Sequence, residues 1–182
     1  MQFDLAEARA VLQRTPSTLD AFLRGLPAPW TTARDGDGTW SPHEIVAHLI
    51  SGERTNWIPR ARLTLDGDSS RTFVPFDRDG FFAEANDIPL GELLDLFARL
   101  RSESLATLDG WNVGDAQLAL TAQHPTFGEV SLHQLLSTWV AHDLAHIVQI
   151  TRTMARRYAA DVGPWSEFLS VLQPRPTPTS NA

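Results

Sequence analysis

An all-α fold built on a four-helix bundle is the reading this sequence supports, and three observations carry it. Apolar residues recur at three- and four-residue spacing in five segments, two of those segments open with helix-start signals, and no stretch alternates well enough to make a long strand. Two long connections argue against a plain up-down bundle with short loops, so the bundle is expected to have long connections and a short helix near its C-terminal end.

The first segment runs from about Asp4 to Arg14 and sets Leu5, Ala8, Val11 and Leu12 on one stripe. Pro16 is expected to interrupt it, because an interior proline has no amide proton to donate. "STLDAFLRGL" then resumes the pattern until Pro27, and "APWTTARDGDGTW" reads as a loop. The second long helix starts at "SPHE": Ser41 suits the N-cap, Pro42 the first helical position, and Glu44 the acid of a capping box. It extends towards Asp66-Gly67, with a kink or break expected at Pro59. "DGDSSRTFVPFDRDGFFAEAND" follows as a connection of little periodicity. A further helix begins near Pro89 and carries Leu90, Leu93, Leu94, Phe97, Leu100 and Leu105 up to Asp109-Gly110. "TAQHPTFGEV" reads as extended or turn-like. Ser131 and Gln134 repeat the capping-box pattern and open a long helix through about Ala159, after which "GPWSEFLSVL" adds a short one. Residues 1–172 are expected to form a single domain. The proline-rich end, 173–182, is expected to be disordered for want of apolar surface.

Composition narrows the function classes. A chain of 182 residues with 42% hydrophobic content builds a core of useful size. The absence of cysteine removes disulfides, thiolate metal ligands and a cysteine nucleophile. All fifteen basic residues are arginine, which removes lysine Schiff-base chemistry. A net charge of −7 argues against nucleic acid as a partner. No apolar run approaches the roughly 20 residues of a membrane span, and "MQFDLAEARA" lacks a signal peptide's basic-then-apolar order. The expectation is a soluble, cytoplasmic protein with no membrane partner.

Two of the six histidines, His142 and His146, stand four apart in "WVAHDLAHIVQI". They differ by about 40° around a helix, so both imidazoles reach one metal ion; two partly buried histidines bonded to backbone or water give the same spacing. His48 is the third candidate ligand, in the middle of the second long helix. Gly52 lies one turn after it, where a glycine costs about 1 kcal/mol relative to alanine and makes room for a helix crossing or a ligand. His43, His133 and His124 point elsewhere or sit in a connection, and are read as exposed or locally bonded.

"TWSPHEIVAHLISGER", followed much later by "HPTFGEVSLHQLLSTWVAHDLAHIVQITR", resembles the DinB-like superfamily over roughly residues 5–172, with "GPW" near the end. The resemblance implies an up-down-down-up four-helix bundle, often a homodimer. It also implies a divalent metal, zinc or nickel, held by three histidines that correspond to His48, His142 and His146. Members include thiol-dependent S-transferases, isomerases and proteins described as metal-dependent hydrolases. The implied ligand is therefore a small-molecule substrate, with a low-molecular-weight thiol among the candidates. Large apolar residues such as Trp57, Phe81 and Phe82 are expected to supply a dimer face.

Three histidines leave an open coordination position, where a metal acidifies water or holds a thiolate. Around it, Gln149 is about 20° off the face of His142 and either orients a water or substrate or ties down a neighbouring helix. Thr138, one turn before His142, is a weaker candidate of the same kind. Glu53 is the candidate general base, but it lies about 140° from His48, which favours a salt bridge to an arginine. Asp143 is read as an ion-pair or supporting residue. Trp40, Trp57, Trp139 and Trp165 are read as core or interface, and Trp30 and Trp111 as half-buried at helix ends. Two functions remain: a metal-dependent hydrolase or thiol S-transferase, and a non-catalytic metal-binding bundle for sensing or sequestration.

Overall fold

Four long helices dominate the computed structural model, which describes residues 3–173. In chain order the elements are α1 (Leu5–Leu23), α2 (Ala28–Thr31), α3 (Pro42–Thr55), α4 (Trp57–Leu65), α5 (Phe82–Ala85), α6 (Leu90–Gly110) and α7 (Asp115–Leu118). They are followed by β1 (Thr121–His124), β2 (Gly128–Ser131) and α8 (Leu132–Ala155). Three 3-10 turns close the described chain: Arg156–Tyr158, Gly163–Phe168 and Ser170–Leu172. The final short helix expected from "GPWSEFLSVL" is thus a pair of tighter turns, and Gln173 caps the second of them. The rest of the expected tail, 174–182, lies outside the described residues.

The helix starts follow the sequence closely. Asp4 accepts the Glu7 amide at 2.9 Å, and Ser41 and Ser131 form the two capping boxes with Glu44 and Gln134. Each box satisfies two amides that the first turn leaves without partners. The segment read as extended is a β-hairpin, β1 antiparallel to β2 with His124 opposite Gly128. Gly128 has φ +72°, a conformation that closes the short loop and favours glycine. Ser131 pairs with Thr121 and is also the N-cap of α8, so the hairpin fixes where α8 begins.

Two expectations about proline need correction. Pro16 does not interrupt the first helix; α1 is continuous through it. The missing Pro16 amide leaves the Leu12 carbonyl free, and Arg101 donates to that oxygen from Nη1 at 2.8 Å. An acceptor lost to the helix is used between helices instead. Near Pro59 the helix does break, but at Asn56 (φ −110°, ψ −70°), so that Pro59 falls in the first turn of α4, where no amide is needed.

Contacts along the bundle give its directions. Arg9 pairs with Asp109 and Arg24 with Asp95, so α6 runs antiparallel to α1. His43 bonds the Ile88 carbonyl just before α6, and Glu53 meets Arg101, so α3 and α6 run parallel. On α8, His133 lies against Phe3 near the start of α1, so α8 rises with α1. The order is up-down-down-up. Between these helices the core forms two apolar clusters, one around Ile45, Phe97 and Ile150, the other around Leu12, Trp57 and Trp139. Trp57 and Phe81 are buried in them and offer no dimer face, and Phe82 is half-buried; the exposed large apolar residues include Leu144, Val148, Trp165 and Phe168.

A charged layer crosses the bundle between the two clusters. Arg101 on α6 donates to Glu53 Oε1 on α3 at 2.8 and 3.0 Å, to Asp143 on α8 at 2.6 and 3.1 Å, and to the Leu12 carbonyl of α1. The three side chains are almost wholly buried, and the guanidinium is flanked by the Phe97 and Trp139 rings. Removing one partner of such a cluster leaves unpaired charge in a low-dielectric interior. Arg101→Met is expected to cost about 3–5 kcal/mol in urea denaturation, because two carboxylates and a carbonyl lose their donor together. A loss below about 1 kcal/mol would show that the layer does not hold the helices.

Candidate metal centre

The histidines of α3 and α8 meet one another as well. His48 Nε2 lies 3.1 Å from His142 Nε2, and His146 Nε2 lies 3.1 Å from the same atom. One nitrogen from each ring falls within 4.8 Å of the others. α8 supplies two of the rings because its 142 and 146 positions are one turn apart, and the antiparallel α3 brings His48 opposite them.

The outer nitrogens explain why the inner ones converge. His48 Nδ1–H donates to the Arg78 carbonyl at 3.0 Å, and His146 Nδ1–H donates to Gln149 Oε1 at 3.0 Å. Both acceptors are oxygens without protons, so each ring carries its proton on Nδ1 and turns an Nε2 lone pair inward. Two ligands about 2.0–2.1 Å from one zinc ion stand about 2.9 Å apart at a right angle and about 3.3–3.4 Å apart at a tetrahedral angle. The observed 3.1 Å lies between these values. The donor set therefore fits a late transition-metal ion, and fixing tautomers through the far nitrogen is how metal-binding histidines are held.

Electrostatics favour the ligand form of all three rings. Burial pushes His142 down to about 2, helped by the neighbouring histidines and by Arg101, and it pushes His146 down to about 4. His48 is lowered too, again chiefly by burial. Neutral imidazole is what a metal requires.

Aromatic rings wall the centre. Trp40 packs 4.6 Å from His48 and stacks at 18° on His146, while Phe76 meets the His48 ring edge-on. Trp57 lies edge-on to His142 and stacks on Trp139. Trp40 is thus a site-lining residue, which its place just before a helix cap did not disclose. Phe76 and Arg78 come from the connection of little periodicity, which gave no signal for them.

The other expected site residues are placed as follows. Gln149 touches the centre through His146. Gly52 makes room, but for the Trp57 indole: a Cβ there would sit 3.1 Å from its Nε1. Thr138 is exposed and donates to the Gln134 carbonyl at 2.7 Å. Glu53 is the Arg101 partner, and burial pushes its carboxyl up while Arg101 pulls it down. Asp143 is its counterpart on α8. The widest groove described, about 750 Å3 between α1 and α6, includes none of the three histidines in its lining.

This fold and this centre define a class, small helical-bundle proteins with a three-histidine site. Residues 11–150 match the DinB superfamily, and the chain belongs to it. It is similar to YfiT from Bacillus subtilis, with 22% identity and a TM-score of 0.74, covering 86% of this chain and 90% of that one. YfiT is described as a probable metal-dependent hydrolase with an unusual four-helix bundle topology. No curated protein matches the chain. Among the described residues, no helix is long and apolar enough to cross a membrane.

The lowered histidines fix a sign for pH dependence. An unfolded chain titrates near the ordinary value of about 6.5 and so binds more protons than the fold below that pH. Metal-free protein is expected to lose stability as pH falls from about 6.5 towards 4, with a smaller slope in a His142→Gln/His146→Gln variant. Thermal melts at fixed ionic strength read this, and a melting temperature that rises on acidification would contradict it.

Proposed function

We propose that the chain is a metal-dependent enzyme acting on a small molecule, with a divalent ion, zinc or nickel, bound by the Nε2 atoms of His48, His142 and His146. The observation that carries the reading is the convergence of three Nε2 atoms, with the His48 and His146 rings locked from behind by the Arg78 carbonyl and Gln149. An ion held there supplies Lewis acidity towards a water or a thiol sulfur.

The protein's own groups orient and shield rather than transfer protons. Glu53 and Asp143, the nearest candidates for a base, are both ion-paired to Arg101 in the buried layer, Glu53 through Oε1 with its Oε2 buried and unpartnered, and Gln149 Oε1 accepts from His146. The metal-binding cluster itself holds histidines alone. The nucleophile is therefore read as coming from the bound small molecule or from water, which supports hydrolysis or thiol S-transfer. Trp40, Phe76 and Trp57 pack against the rings and exclude water from the faces and edges they cover. The same lack of a free base is what a non-catalytic metal-binding bundle would show. We read the protein as cytoplasmic and homodimeric, with the exposed Leu144 and Val148 of α8 now the better support for a shared face.

Metal analysis of protein purified without an affinity tag, followed by a screen of esters, amides and electrophiles with cellular thiols, tests the reading. About one divalent ion per chain and turnover that His142→Ala abolishes are expected, and the variant is expected to keep native helicity because the bundle's core does not depend on the ion. Metal without turnover would select the non-catalytic bundle. Protein that takes up no ion would end both readings.

A further inference from the structure

One cation beside the histidine centre has no ion-pair partner among the described residues. Arg78, in the connection between α4 and α5, is held at its backbone, where its carbonyl accepts from His48 Nδ1 at 3.0 Å. Its guanidinium carbon lies 5.1 Å from the centre of the Trp40 ring, the ring that packs on His48 and His146. The side chain is exposed, and no ion pair among the described residues includes it, whereas nearby Arg54 and Arg71 face Glu84 and Asp66. The adjacent Asp77 accepts instead from the Asp79 amide at 3.1 Å.

We propose that Arg78 is the anion-recognition residue of this centre and that its ligand is a small molecule carrying a carboxylate a few bonds from the reacting group. The cation–π contact holds the guanidinium over the Trp40 ring. A planar fork of N–H donors matches one carboxylate through two parallel hydrogen bonds. The guanidinium lies over the same Trp40 ring that packs on His48 and His146, so a ligand held by it is bound one indole away from the histidine cluster. The wall of Trp40 and Phe76 suits an apolar spacer between the two ends.

This inference rests on the metal-centre reading above, and two thiols separate the two. Cobalt-loaded protein is titrated with 3-mercaptopropionate and with 2-mercaptoethanol, following the thiolate-to-cobalt absorption. Both offer a thiolate, and the first also offers a carboxylate. The wild-type protein is expected to bind 3-mercaptopropionate about fivefold more tightly, the upper end for an exposed ion pair. Arg78→Gln, which keeps the backbone carbonyl for His48, is expected to bind both thiols alike, and Arg78→Lys to keep part of the preference. A preference that survives in Arg78→Gln, or that is missing from the wild type, overturns the role of Arg78 while leaving the metal centre intact. An absorption that responds to neither thiol overturns the open centre and this proposal with it.

Discussion

Everything at the middle of this bundle is arranged around one buried guanidinium. Arg101 meets Glu53, Asp143 and the Leu12 carbonyl, so one side chain contacts all four long helices at a single level. Burying three charges costs more than an apolar layer would, and the cost is offset only when every donor finds an acceptor. Here the acceptors come from three different helices around the one that carries Arg101, and a shift of any one of them along its axis would leave a donor without its partner. The layer therefore specifies helix register more than it adds stability. Two apolar clusters above and below supply the burial.

Register matters because the histidine centre is built from two of those helices. Asp143 follows His142 directly, and Glu53 lies little more than a turn beyond His48, so the ion pairs that align α3 with α8 also align the rings. The break at Asn56 contributes from the other side, since it turns Trp57 back over Gly52 and against His142. Pro16 belongs to the same arrangement. It frees the carbonyl that completes the coordination of Arg101, and so a helix interior tolerates a residue that ordinarily costs about 3 kcal/mol.

Much of this was legible in the residues. The capping boxes at Ser41 and Ser131 marked two helix starts, because local hydrogen bonds decide them and the pattern is short. His48, His142 and His146 were selected by angular spacing, and the fold brings them together. What escaped was non-local. A proline's effect depends on whether some distant donor claims the freed carbonyl, and nothing near Pro16 names Arg101. Gly52 signalled a need for space without saying that Trp57 fills it. Arg101 itself left a trace, a charge four residues after Phe97 and four before Leu105 on an otherwise apolar stripe. Arg78 left none, since its contact with His48 runs through a backbone carbonyl and is blind to residue type.

In the proposed site three imidazoles, each presenting Nε2, bind one divalent ion and leave room for a further ligand. X-ray absorption at the metal edge of the purified protein tests this most directly. Three imidazole nitrogens are expected at about 2.0–2.1 Å for zinc, seen with their outer-ring scattering, together with at least one further ligand that lacks that scattering. A first shell with fewer than two imidazoles, or one closed by carboxylate oxygens, would contradict it.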